Sequence, residues 1–134
     1  DLKDQDAIFV FGGNTFDYLD RIRKTGLDKE IKSFVDSGKV YVGFSAGSYV
    51  ACPNIKHALW KQADNNRIGL KNLKGLCLVP FIVTAHFEKS LKSTIEKSAK
   101  ETKLPVFALT DKQAISVNGE KIKFIGGKVT AFNI

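Results

Sequence analysis

The chain has 134 residues, enough for one domain with its own core, and its 43% hydrophobic and 26% charged content excludes intrinsic disorder and repetitive fibrous classes. The net charge is +7, but Arg21, Arg23 and Arg67 are the only arginines and the lysines are scattered, which argues against a nucleic-acid-reading surface. Cys52 and Cys77 sit in apolar surroundings, without disulfide-framework or metal-ligand spacing, and are expected to be buried reduced thiols. No stretch reaches the length of a transmembrane helix and no signal-peptide pattern is present, so a soluble cytoplasmic protein is expected. There is no Met and the chain starts Asp1-Leu2-Lys3, so these residues are expected to be trimmed or part of something longer.

Ala7 to Phe11 is a continuous apolar run closed by Gly12-Gly13, the pattern of a buried strand ending in a tight turn. Thr15 to Thr25 carries Phe16, Leu19 and Ile22 at helical spacing and stops at Gly26. Asp28 is the expected cap of a second helix, with Ile31, Phe34 and Val35 on one face and Gly38 at its end. Val40-Tyr41-Val42 is a short strand that runs into Gly43-Phe44-Ser45-Ala46-Gly47, and a helix is expected from Ser48 to Cys52, before Pro53. His57 to Lys74 is polar and irregular, Leu76 to Ala85 is β-like, and Lys89 to Lys103 is a basic helix. Pro105 to Leu109 is a strand, Ala114–Val117 and Lys121–Ile125 form a hairpin around Asn118-Gly119, and a last strand runs through Val129 and Phe132. Alternating strands and helices predict an α/β domain with a mostly parallel sheet, whose functional groups sit beyond the carboxyl ends of the strands.

Gly43-Phe44-Ser45-Ala46-Gly47 matches G-x-S-x-G between a strand and a helix. A nucleophilic serine needs that setting: a sharp turn lifts Oγ above the sheet, and small residues on either side let the backbone pass its neighbours closely. The N–H of Ala46, after the serine, is a natural oxyanion donor.

Ile8 to Phe16, with Gly12-Gly13-Asn14-Thr15-Phe16, and Gly38 to Ser48, with Gly43-Phe44-Ser45-Ala46-Gly47, together resemble peptidase E and its relatives, the S51 serine peptidases. Leu78-Val79-Pro80-Phe81 leading to His86-Phe87, the Pro105–Asp111 segment and the final hairpin extend the resemblance over nearly the whole chain. It implies a three-layer, class I glutamine amidotransferase-like (flavodoxin-like) domain across residues 1–134, a single catalytic domain whose first strands lie outside these residues. It also implies a cytoplasmic serine exopeptidase acting on short peptides, some with N-terminal Asp. Thr15, where the cyanophycin-degrading relatives usually have Gln, favours the peptidase branch.

Carried over residue by residue, Ser45 is the nucleophile, His86 the general base, Gly13 and Ala46 the oxyanion donors, and Asn14 a residue of the substrate cleft. His57 is the one other histidine and the other candidate base. The family order, serine then acid then histidine, implies Asp64, the only acidic residue between Ser45 and His86; Glu88 and Asp111 lie outside that order. The family's downstream Arg segment is replaced by Phe87 to Lys92, which leaves Lys89 or Arg67 as the cations that could meet an acidic substrate. No cofactor, metal, nucleic acid or membrane is implied; the expected partner is a short peptide, and a homodimer stays open. A non-catalytic small-molecule or peptide-binding homologue that keeps the elbow, and a basic nucleic-acid-associated module, are the competing readings.

Overall fold

In the computed structural model, which describes residues 1–62 and 64–134, the first apolar run forms β1 (Ala7–Val10). It pairs in parallel with β2 (Val40–Gly43), Ala7 opposite Val40 and Val10 opposite Gly43. Two helices connect them. Helix α1 (Thr15–Lys24) starts at Asn14, whose side chain accepts from the Phe16 and Asp17 N–H groups. Helix α2 (Leu27–Asp36) follows after a single left-handed residue, Gly26 at φ 74°, which holds the N-cap position expected of Asp28. Asp28 instead lies in the first turn with Glu30, where a carboxylate complements the helix dipole.

The elbow helix α3 is Ala46–Val50, beginning directly after the serine. Its orphan carbonyls explain why the long β-like run from Leu76 yields only a short strand. Leu76 N–H donates to Val50 O at 2.7 Å, Leu78 N–H to Ala51 O at 2.8 Å and Gly75 N–H to Pro53 O at 3.0 Å. The 75–78 backbone thus closes the end of α3 rather than joining a sheet. Pairing resumes at β3 (Ile82–Thr84), which runs parallel to β4 (Val106–Ala108); α4 (Lys92–Ala99) crosses between them.

On the other edge of β4 lies β7 (Thr130–Phe132), antiparallel. The hairpin of β5 (Ala114–Asn118) and β6 (Lys121–Ile125) turns at Gly119-Glu120, one residue later than Asn-Gly suggested. Only Gly119 of the two has positive φ, 60°, as a type II′ turn requires.

The buried side chains form two clusters. Phe16, Leu19, Ile22, Ile31, Tyr49 and Val50 pack α1, α2 and α3 onto the sheet face that bears Ile8 and Tyr41. Ile82, Val83, Ile95, Ala99, Val106 and Ala108 pack α4 against β3 and β4. The opposite face of β1–β2 is not buried as the apolar runs suggested: Phe9 is 56% exposed and Val40 55%. Cys52 is buried as expected, whereas Cys77 is exposed; both are free thiols. No helix among the described residues is long and apolar enough to cross a membrane.

Candidate active site

Parallel strands end their carboxyl termini on one edge, and there β1, β2, β3 and β4 deliver Gly12-Gly13, Ser45, His86 and Asp111 respectively. Ser45 has φ 52° and ψ −114°, a conformation that costs about 1–3 kcal/mol for a non-glycine residue and needs support from its surroundings. That support is visible in the backbone around it. A Cβ on Gly43 would come within 2.6 Å of the Gly47 carbonyl oxygen, and one on Gly47 would run into the Val10 carbonyl. Only glycines let strand and helix approach so closely. Tyr41 Oη donates to Gly47 O at 2.6 Å, and burial holds this phenol well above its usual pKa, so it stays a donor. Ser48 Oγ donates to the Ser45 carbonyl at 2.6 Å.

The first glycine loop comes up beside the elbow. A Cβ on Gly12 would lie 3.7 Å from Ser45 Cβ, Tyr18 Oη donates to Gly12 O at 2.5 Å, and the rings of Phe11 and Phe44 stack at 5.2 Å. Among the described residues neither the Gly13 nor the Ala46 N–H is engaged in a hydrogen bond, so both oxyanion candidates are free to donate.

His86 Nε2 lies 3.1 Å from Ser45 Oγ, and its Nδ1 lies 2.6 Å from Asp111 Oδ1. Hydrogen-bonding to the carboxylate puts the proton on Nδ1 and leaves Nε2 to accept from the serine. His86 reaches this position through an irregularity in the β3–β4 ladder. Leu109 N–H donates to Thr84 O at 2.9 Å and Leu109 O accepts from Phe87 N–H at 2.8 Å. Two residues, Ala85 and His86, therefore stand where a regular ladder has one, and His86 takes φ 57°. Such a bulge re-aims a side chain. Asp111 is held by its own turn, in which Gln113 Oε1 accepts from Thr110 N–H at 3.0 Å and Gln113 Nε2 donates to Lys128 O at 2.9 Å.

One of the expected assignments, Asp64 as the acid on His86, is displaced by this geometry. The carboxylate on His86 is that of Asp111. Asp64 is engaged elsewhere: its Oδ2 accepts from Thr15 N–H at 3.1 Å and from Thr15 Oγ1 at 2.5 Å, at the N-terminus of α1. A carboxylate is stabilised there by free N–H groups and the helix dipole. Asn14, expected in the cleft, uses its carbonyl oxygen as the α1 cap and donates from Nδ2 to Asn65 O at 2.9 Å. Both side chains brace the loop that carries Gly13. Arg67 is paired with Asp17 on α1.

His57, the other candidate base, is 1% exposed in a 3₁₀ turn, Lys56–Leu59, and burial lowers its pKa to about 3. It stays neutral and out of reach of substrate. In the sequence Asp111 is a weaker candidate than Asp64, set aside with Glu88 because it falls outside the family order; that β4 lies beside β3, and so beside His86, is a tertiary fact. No group of three or more His, Cys, Asp or Glu residues suited to a metal ion occurs among the described residues.

Residues 1–125 match the family model for peptidase family S51. The chain belongs to this family. Among its S51 relatives is an uncharacterized peptidase of Listeria monocytogenes serovar 1/2a, 32% identical over 124 residues, an alignment that takes in 90% of this chain and 60% of the relative. A peptidase E of Nostoc sp. is 31% identical over 137 residues, covering 95% of this chain and 55% of that protein. A solved structure, that of a candidate peptidase E protein from Listeria monocytogenes EGD-e, superposes with a TM-score of 0.80 at 30% identity, over 95% of this chain and 62% of that one. The α/β arrangement is thus the flavodoxin-like one of the family. The S51 chain described here spans 60% or less of the length of these two curated relatives.

Proposed function

We propose that this chain carries the catalytic centre of a serine peptidase that cleaves short peptides, with Ser45 as nucleophile, His86 as general base and acid, and Asp111 as the residue that orients the imidazole. The observation that supports it most is His86 spanning Ser45 Oγ at 3.1 Å and Asp111 Oδ1 at 2.6 Å from its two ring nitrogens. Family membership and the name peptidase E among the relatives support the same reading.

In this mechanism His86 Nε2 takes the Ser45 proton as Oγ bonds to the scissile carbonyl carbon, and the developing oxyanion is met by the N–H groups of Gly13 and Ala46. The imidazolium, stabilised by Asp111, then passes its proton to the leaving amine as the C–N bond breaks. Water, deprotonated by the same imidazole, releases the acyl group from Ser45. The chain order serine, histidine, aspartate is no obstacle, since a triad is defined by geometry and roles rather than sequence order. The substrate class proposed is short peptides cleaved at their N-terminal residue, those starting with Asp among them, in a cytoplasm that keeps Cys52 and Cys77 reduced. Because Arg67 is paired with Asp17, Asp-Xaa peptides belong in the assay beside neutral ones.

A fluorophosphonate probe tests the reading. The folded chain is expected to label stoichiometrically at Ser45, with labelling lost in Ser45→Ala. Asp111→Asn should slow peptide hydrolysis by about 10³–10⁴-fold, by analogy with loss of the orienting carboxylate in other triads, while Asp64→Asn retains far more activity. A folded protein that takes up no probe would be a binding homologue rather than an enzyme.

A further inference from the structure

We infer that Tyr49 and Lys61 are positioning residues for His86, gripping the two polar groups of Ala85 so that the peptide entering His86 cannot turn. The inference rests on the triad reading above and extends it to residues that touch neither substrate nor Ser45 Oγ.

The bulge leaves Ala85 without partners in the β3–β4 ladder, because Leu109 bonds Thr84 and Phe87 on either side of it. Its N–H donates to Tyr49 Oη at 3.1 Å. Its carbonyl accepts from Lys61 Nζ. Tyr49 is buried, its ring meets His57 edge-on with centroids 4.7 Å apart, and the Lys61 ammonium lies 6.0 Å from the centre of the same ring.

The geometry gives these contacts a specific consequence. His86 is at φ 57°, a left-handed conformation from which a histidine gains by relaxing. Relaxation means rotation about the His86 N–Cα bond, and the group that swings against the rest of the residue is the peptide bearing the Ala85 carbonyl. Lys61 holds that carbonyl and Tyr49 holds the preceding N–H, so rotation breaks one contact or both. Tyr49 stands four residues beyond Ser45 on α3. The helix that presents the nucleophile therefore also grips the strand end that presents the base, which fixes the separation between Ser45 and His86.

The test is the rate of Ser45 modification by a fluorophosphonate, resolved into reversible binding (KI) and bond formation (kinact), with thermal midpoints recorded for each variant. Lys61→Met is expected to lower kinact about tenfold, as a misplacement of well under 1 Å can. KI and the thermal midpoint should stay where they are. Lys61→Arg, which keeps the donor, should recover most of the rate, and Tyr49→Phe should fall in the same direction as Lys61→Met. In a His86→Ala background, Lys61→Met should produce no further loss, because a residue acting through His86 has nothing left to position. Unchanged kinact in both Lys61→Met and Tyr49→Phe overturns the inference, as does an equal loss in the His86→Ala background. If the unaltered folded chain does not label, the triad reading itself fails and this inference falls with it.

Discussion

His57 shows how far burial can move a single side chain. It lies between the rings of Tyr49 and Trp60, and neither ring nitrogen has a hydrogen-bond partner among the described residues. Desolvation, helped by the nearby Lys61 ammonium, lowers its pKa from 6.5 to about 3. Unfolding returns it to water and to its ordinary value. Between those two values the unfolded chain binds a proton that the folded chain refuses. The contribution of His57 to stability is therefore complete above about pH 6.5 and is lost as pH falls toward 3, at up to about 1.4 kcal/mol per pH unit. Urea denaturation at pH 6.5 and 4.5 should show a steeper loss in the parent chain than in His57→Phe. Equal slopes would mean that His57 is not held neutral. The same scale separates Asp64 from Asp111. Both are ordinary loop aspartates in the sequence, and only their partners, Thr15 for one and His86 for the other, distinguish them.

At the scale of elements, the elbow depends on how closely α3 approaches β1 and β2. Helix α3 has five residues, too few to be stable alone, and its place is set by Gly47 against Val10, Tyr41 against Gly47, and the 75–78 backbone against its end. Gly47→Ala puts a methyl group into the Val10 carbonyl and must push the helix off the strand. Overpacking of this kind costs about 1–3 kcal/mol. Urea denaturation of Gly47→Ala should show that loss, together with slowed Ser45 labelling, since Ser45 moves with the helix. Full labelling at parental stability would contradict the close-packing account. G-x-S-x-G was legible because local backbone conformation demands those residue types. The length of β3 was not, because whether an apolar residue joins a ladder or closes a helix end depends on what lies beside it.

Across the whole molecule, the two buried clusters meet where α3 and its trailing residues touch β3, with Cys52 Sγ accepting from Val83 N–H at 3.3 Å. Burial raises the pKa of this thiol to about 12, so it remains a neutral part of the junction. The hairpin is only lightly tied to that organisation: Ile115 and Val117 of β5 pack against the second cluster and the Phe124 ring lies 5.2 Å from that of Phe107, but every residue of β6 is exposed, while β3 is buried throughout. Opening free energy follows buried contacts, so β5–β6 amides should exchange with solvent well before those of β3 and β4. Hydrogen exchange followed by NMR or mass spectrometry checks this; protection of β6 equal to that of β3 would require a covering surface.

The sequence by itself determined the alternation of strands and helices and the G-x-S-x-G turn, and its motifs resembled the S51 family, which is what singled out Ser45 and His86. The alternation and the turn are written in local periodicity and glycine requirements, whereas the two residues were reached through the family resemblance. Tertiary structure alone decided which carboxylate faces His86, that Asn14 and Asp64 brace a loop, and that Tyr49 and Lys61 hold Ala85. Those facts follow from which strand lies beside which and where a bulge falls, and such pairings join residues tens of positions apart that leave no joint pattern in a single chain.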